Sequence, residues 1–453
     1  MSSSNSALRP VLLLAAFALA FTGVAVVYSL AVPLVRAFFE PASAVWLALV
    51  ALNLVFYAYW VYETIISLRG FGQETPPPSA RPHTRFAIVI AAHNEERVIG
   101  PLLDSLREQT YPADLYDVYV SCDNCTDGTA TATRAVGAIA LERTDPLRRG
   151  KTWNVRWALE QIPLERYDAV VIFDADNLIR ADFLRRTNDF IVANPEAQAV
   201  QSYLDTKNPH DSWVTRVSAL TYWHVNRFWQ LARSRAGLSG ALGGTGTVIS
   251  TKLIREIGWD MQSLTEDLEF TCKVILAGHR VYWNEWAVVY DEKPLTQPAS
   301  VRQRVRWLQG HYWCSWRYGG PTLRALLRTR RLQYFDLLVY LFSPHRMVVW
   351  SLVAVTFPLI TLPVVSSGGA RALLPWLVWI LIALAQAMFQ VVAGPSLARQ
   401  KLTLRYVGDA AWYLWYAYSW APLSIYAMFV ANRQGNWVKT EHTRDLRVAD
   451  LGA

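Results

Sequence analysis

Cysteine is scarce, with 4 residues in a chain of 453. Cys122 and Cys125 form one C-x-x-C, but no second pair stands at zinc-site spacing, so they are read as ordinary loop residues. No G-x-G-x-x-G follows the first β-rich run, which leaves a dinucleotide fold without its signature. There is no internal repeat and no nucleic-acid recognition module, so nucleic acid is not an expected partner. Charge is also sparse, at 18% of residues against 53% hydrophobic. Such a chain is too apolar for an ordinary soluble enzyme and too charged for membrane helices alone.

The charge is unevenly spread. Residues 11–35, 43–62, 347–370, 372–398 and 410–432 carry none, and each stretch is long enough to cross a hydrocarbon core. Between Arg69 and Arg331 no such stretch exists. The expected plan is two membrane helices within 1–70, a proline-rich linker at 71–84 and a soluble domain at 85–318. Amphipathic interfacial helices follow at 319–345, then a membrane or re-entrant region at 346–432 and a tail at 433–453. The first stretch lacks a convincing cleavage site and reads as a retained anchor. Arg36 alone lies between the first two stretches, whereas Arg69, Arg81 and Arg85 follow the second. This places the domain on the cytoplasmic face of a multi-pass protein of the cell membrane, taken as a bacterial inner membrane. A net charge of +8 suits a protein resting on anionic lipid and binding a phosphorylated substrate.

Two segments near the carboxyl end have their own expectations. Basic residues flank 410–432 on both sides and Pro422 interrupts it, so it is expected to be interfacial or re-entrant. The tail "WVKTEHTR" is then cytoplasmic, beside the active site. The run 321–342 has near-helical apolar spacing and is expected to lie as a helix in the cytoplasmic interface.

In the central region β-rich runs alternate with helical patterns: "RFAIVIAAHNEE", "YDVYVSC" before "DNCTDGTATATRA", and "DAVVIFD" before "ADNLIRADFLRR". Alternation of this kind predicts a doubly wound α/β sheet with ligands at the carboxyl ends of the strands. The polar clusters fall at those ends. "HNEE" either caps the next helix or belongs to a site. In "DNCTDGT", Thr126 or Asp127 can cap a helix beginning near Gly128. Asp174 and Asp176 of "FDADN" repel one another unless a divalent cation is shared between them. Ser263 and Glu266 fit a capping box, and Asp267 falls outside it at a helix amino terminus. If 298–318 is helical, Gln303, Arg306 and Trp307 share one face, with Arg302 and Arg304 pointing elsewhere.

Taken in order, "HNEE … DNCTDGT … RGK … DAD … GGTGT … TED … QRVRW" resembles the membrane-embedded family-2 glycosyltransferases, a group that includes polysaccharide synthases and glycolipid-forming enzymes. The resemblance implies a GT-A-type α/β nucleotide-sugar domain inserted between transmembrane helices. It implies that Glu95 and Asp123 lie near the uracil and ribose of a UDP-sugar, and that Lys151 approaches the nucleotide. Asp174 and Asp176 match the D-x-D pair, with Asp176 the metal contact for Mg2+ or Mn2+. Gly244 and Thr245 lie in the small-residue loop near the transferred sugar and acceptor, and Glu266 is also a substrate-binding candidate. Asp267 matches the general base, and Gln303, Arg306 and Trp307 match Q-x-x-R-W. The expected reaction is inverting transfer of a sugar, with N-acetylglucosamine the candidate, from the UDP-sugar to a growing polysaccharide. The alternative is a single addition to a membrane lipid, and a third reading is a non-catalytic scaffold that keeps the fold.

Overall fold

The computed structural model describes residues 55, 58–59, 61–349, 351, 388–389, 391–393, 395, 404–434 and 446–451. The expected spans at 11–35, 347–370 and 372–398, most of 43–62 and the tail Trp437–Arg444 lie largely or wholly outside them. Among the described residues no helix is long and apolar enough to cross a membrane.

The domain is built on an eight-stranded sheet in the order β3-β2-β1-β4-β7-β6-β8-β5. The first three predicted strands form as β1 (Phe86–Ala92), β2 (Tyr116–Asp123) and β4 (Ala169–Asp174), with β3 (Ile139–Arg143) at the edge. These four are parallel. Strand β1 is covered on both sides, which explains its unbroken apolar run. Phe86, Ile88 and Ile90 pack with α1 (Ile99–Arg107) on one face. Ala87 and Val89 pack with α3 (Lys151–Gln161) on the other; α2 (Thr129–Ala135) follows β2. The doubly wound expectation holds only for this half. Strand β7 (Thr247–Ser250) runs antiparallel to both β4 and β6 (Ala199–Thr206), and β5 (Leu178–Ile179) antiparallel to β8 (Val281–Asp291). The sheet is therefore mixed.

Between β6 and β7 lie α4 (Trp213–His224), a π-helical stretch (Val225–Leu231) and a short helical turn. Helix α5 (Glu266–Leu276) precedes β8, and α6 (Gln297–Thr329) follows it. Helix α6 continues past residue 318, where the domain was expected to end, and runs through Pro321 to a left-handed residue, Arg330 (φ 54°). Gly319 and Thr322, on either side of the proline, are buried. The amphipathic run is thus not one helix: its first part ends α6, and its second forms α7 (Leu332–Leu341). Residues Leu404–Val430 form a further helix, α8, packed along α6.

The linker is held down as well as stiffened by proline. Arg235 donates to the carbonyls of Arg69, Phe71 and Gln73, and Arg227 to that of Gly72. Asp189 accepts from the Ala80 N–H at 2.9 Å, and the Asn188 side-chain oxygen accepts from the Thr84 hydroxyl, also at 2.9 Å.

Candidate active site

Strand β4 ends at Asp174, and the antiparallel β7 begins at the same edge of the sheet, so the loop before β7 drops onto the D-x-D turn. Thr245 fastens the two. Its hydroxyl accepts from the Asp174 N–H at 3.2 Å and donates to the Asn177 side-chain oxygen, which takes the same N–H at 3.2 Å. The loop is steadied from behind by the π-helix. The Gln230 amide donates to the Ala241 carbonyl at 2.7 Å and accepts from its N–H at 3.0 Å. Inserted π turns of this kind often carry functional side chains.

Lys151, the first residue of α3, points into the centre of the site. Its Nζ lies 2.5 Å from Asp174 Oδ1, 2.6 Å from the Gly244 carbonyl and 3.6 Å from Glu266 Oε1. Burial would favour the neutral amine, but Asp174, Glu266 and Asp267 outweigh it and hold Lys151 charged, well above the ordinary lysine range. Asp267 is shifted the other way. Burial, reinforced by Glu266, pushes its carboxyl up to about 7 despite Lys151. Gly244 has φ +82°, and a Cβ there would sit 3.4 Å from Asp267 Oδ2 and 3.8 Å from Lys151 Nζ. The glycine leaves that space open to a substrate.

The capping box expected from Ser263 and Glu266 is not formed. The Ser263 hydroxyl donates to the Thr265 carbonyl at 2.9 Å, and Glu266, the first residue of α5, faces Lys151 instead. Reaching back is done by Glu269, whose Oε2 accepts the N–H groups of Gln262 and Ser263 at 2.7 Å each. Its Oε1 accepts from the Tyr318 hydroxyl of α6 at 3.0 Å.

The loops after β1 and β2 form one unit beside this centre. Asp123 is buried and paired with Arg143 from the end of β3. Burial raises its carboxyl, and the guanidinium opposes the shift. Glu95 is half-buried, and its N–H donates to the Thr129 hydroxyl at 2.9 Å. "HNEE" does not cap the next helix: Asn94 accepts from the Thr126 N–H at 2.7 Å, and Glu96 from the Gly128 N–H at 3.0 Å. The helix after "DNCTDGT" begins at Thr129, where Asp127 accepts the first N–H at 3.0 Å. Arg143, Asn177, Gln230 and Glu269 escaped the sequence reading, since their partners are remote in sequence or lie on the main chain; only Asn177, adjoining the D-x-D pair, had a local signal.

Gln303, Arg306 and Trp307 lie on α6 and are half-buried. Neither Gln303 nor Arg306 has a side-chain hydrogen bond or ion pair among the described residues, while the Trp307 ring is stacked on Trp420 of α8. Helix α6 meets the "TED" turn one turn further on, at Gly310.

No group of three His, Cys, Asp or Glu side chains capable of holding a metal occurs among the described residues. The Asp174 and Asp176 carboxylates still fit a divalent ion of the Mg2+ or Mn2+ type. Such ions take hard oxygen ligands from one or two carboxylates and complete their shell with substrate phosphates. Asp174 is the more open of the pair, and Asp176 is buried over Lys207, which donates to its carbonyl at 2.9 Å.

A profile described as "Glycosyltransferase like family 2" matches residues 82–310. A β-monoglucosyldiacylglycerol synthase of Synechocystis sp. is 26% identical over 294 residues, covering 59% of this chain and 59% of that protein. A poly-β-1,6-N-acetyl-D-glucosamine synthase of Staphylococcus aureus is 22% identical over 269 residues, covering 58% of this chain and 61% of that one. The chain therefore spans about three-fifths of the length of these curated relatives. Among solved structures, a Pyrobaculum calidifontis mannosyltransferase in complex with GDP-Man and Mn2+ superimposes with a TM-score of 0.55 at 20% identity. The match covers 84% of this chain and 97% of that one, and at such identity it establishes the fold, an α/β GT-A-like sheet. The matched residues contain both halves of the site, and the chain is a glycosyltransferase of family 2.

Proposed function

We propose that the protein transfers a single sugar from a UDP-sugar to the hydroxyl of a membrane lipid, with inversion at the anomeric carbon. The observation that carries this reading is the placement of Asp267. Its carboxyl, raised to about 7, stands beside the open space at Gly244 and next to Lys151, as a base for a sugar or glycerol hydroxyl requires. Asp267 takes the acceptor proton while the acceptor oxygen attacks the anomeric carbon, and the bond from that carbon to the diphosphate breaks. Lys151 and Arg306 meet the negative charge gathering on the departing diphosphate. Asp123 and Glu95 hold the nucleoside, and Trp307 offers a ring face to the acceptor. Asp174 and Asp176 would hold Mg2+ or Mn2+, which supplies further positive charge to the diphosphate.

A lipid acceptor is favoured by the outer faces of α6, α7 and α8. Leu323, Leu327, Leu332, Phe335, Tyr426 and Phe429 are exposed there. Exposed apolar surface of this extent marks a membrane or partner face. We read it as resting on the cytoplasmic surface of the bilayer, which also accounts for 410–432 as an interfacial helix. The glycolipid-forming relatives support the same acceptor class, and the polysaccharide-forming relative keeps polymer synthesis as the second reading. Purified protein in anionic vesicles, given labelled nucleotide sugars and diacylglycerol, should yield a one-sugar lipid. A long labelled chain instead would select polymer synthesis.

A further inference from the structure

The three arginines of "RQRVRW" have three different surroundings. Arg302 is exposed and Arg306 half-buried, whereas Arg304 is 1% exposed. Among the described residues Arg304 has no carboxylate partner. Its Nη1 donates to the Ser419 hydroxyl at 2.8 Å and the Tyr416 carbonyl at 3.4 Å, and its Nε to the Ser300 carbonyl at 3.4 Å. The guanidinium carbon lies 4.3 Å from the Tyr416 ring centroid and 5.2 Å from that of Trp420. Trp420 in turn faces Trp307 with centroids 6.4 Å apart and planes 18° from parallel. A continuous stack thus runs Tyr416, Arg304, Trp420, Trp307.

A buried charge without a counter-ion is costly against an apolar side chain of similar volume. Ring faces and carbonyls return only part of that. Docking of α6 on α8 does not require it, because Leu308 and Tyr312 already pack on Ala427 and Ala431. What the cation adds is orientation: it is drawn to the face of Trp420 and not to its edge, which fixes the tilt of that ring.

We infer that Arg304 is a positioning residue for transfer, acting through Trp420 to set the plane of Trp307 and hence the angle at which an acceptor hydroxyl meets Asp267. The inference rests on the reading of Trp307 as the acceptor platform. Arg304 itself touches no reacting atom. With the platform free to tilt, acceptor binding weakens, and water takes the place of the acceptor more often. Water oxygen then bonds to the anomeric carbon, the bond to the diphosphate breaks, and the water proton passes to Asp267, releasing free sugar.

The full chain in phosphatidylglycerol vesicles, with dioleoylglycerol as acceptor and UDP-glucose as donor, provides the test. Acceptor KM, kcat, the ratio of free to transferred glucose, and UDP affinity by calorimetry are read together. Arg304→Met and Trp420→Leu should each raise acceptor KM about tenfold and raise the free-glucose ratio, with UDP affinity within twofold of wild type. Trp420→Phe, which keeps a ring face, should recover most of the loss. If Arg304→Met does not fold, the comparison of Trp420→Leu with Trp420→Phe still decides the matter. Trp307→Ala separates the two levels of failure. Should it leave acceptor KM unchanged, the platform reading falls and takes this inference with it. Should it raise KM while Arg304→Met and Trp420→Leu do not, the positioning role alone is wrong.

Discussion

Gly310 of α6 approaches Thr265 so closely that a Cβ at position 310 would lie 2.3 Å from the Thr265 hydroxyl and 2.8 Å from its backbone nitrogen. This contact joins the helix carrying Gln303, Arg306 and Trp307 to the turn carrying Glu266 and Asp267. Since backbone cannot move aside as a flexible side chain can, Gly310→Ala must push the helix away. Overpacking of this kind costs about 1–3 kcal/mol. The expected result is a lower melting temperature together with loss of transfer, while UDP binding is largely kept. Calorimetric UDP titration beside a thermal melt checks it.

Asp267→Asn should leave donor binding nearly intact and lower turnover by roughly two to four orders of magnitude. In the wild type, kcat should fall as pH drops through about 7, because the base must be ionised and burial with Glu266 has raised its pKa. Stability follows the opposite course. The folded state holds this proton more tightly than the unfolded one, so the stabilisation present at low pH is lost as pH rises through about 7. Asp267→Asn removes that decline, so its melting-temperature advantage over the wild type should be largest at pH 8, smaller at pH 5 and absent below about pH 4. Near-normal transfer by Asp267→Asn would shift the role to Glu266.

Lys151→Met removes the cation between Asp174, Glu266 and Asp267. Asp267 then loses the charge that lowers its pKa, so the acidic limb of the pH–rate profile should move to higher pH. Donor affinity should weaken at least tenfold. An unmoved profile would mean that Lys151 does not act on the base.

Asp176→Ala should abolish turnover and weaken metal-dependent UDP binding together. Mn2+ binding followed by electron paramagnetic resonance with UDP present gives a readout independent of catalysis. Retained Mn2+ binding would move the metal contact to Asp174.

The parallel half of the domain was legible because β1, β2 and β4 are buried on both faces and read as apolar runs ending in polar loops. The face shared by Gln303, Arg306 and Trp307 followed from helical spacing alone. The antiparallel strands were not legible: β7 has 4 residues and β5 has 2, too short for any period to emerge. The capping box failed because a sequence pattern cannot weigh a local N–H against a distant cation, here Lys151. Arg143 and Arg304 gave no local signal of their roles, since their partners, Asp123 in one case and Ser419 with two aromatic rings in the other, come from other elements. The same holds for the linker, whose prolines announced stiffness but not the arginines that clasp its carbonyls.

The mixed sheet and the late helix α8 also set an order of assembly. Lys151 and Gly244 are 93 positions apart, and Asp174 and Thr245 are 71 apart, so the contacts around Lys151 are complete once the chain has grown through the "TED" turn. The contacts made by α8 wait much longer. The Leu264 N–H is taken by Gln434, 170 positions downstream, at 2.7 Å, and Trp420 reaches Trp307 from the same late segment. During synthesis from the amino end, the partners of Lys151 are therefore all present well before the segment that brings Gln434 to the "TED" turn and Trp420 to α6.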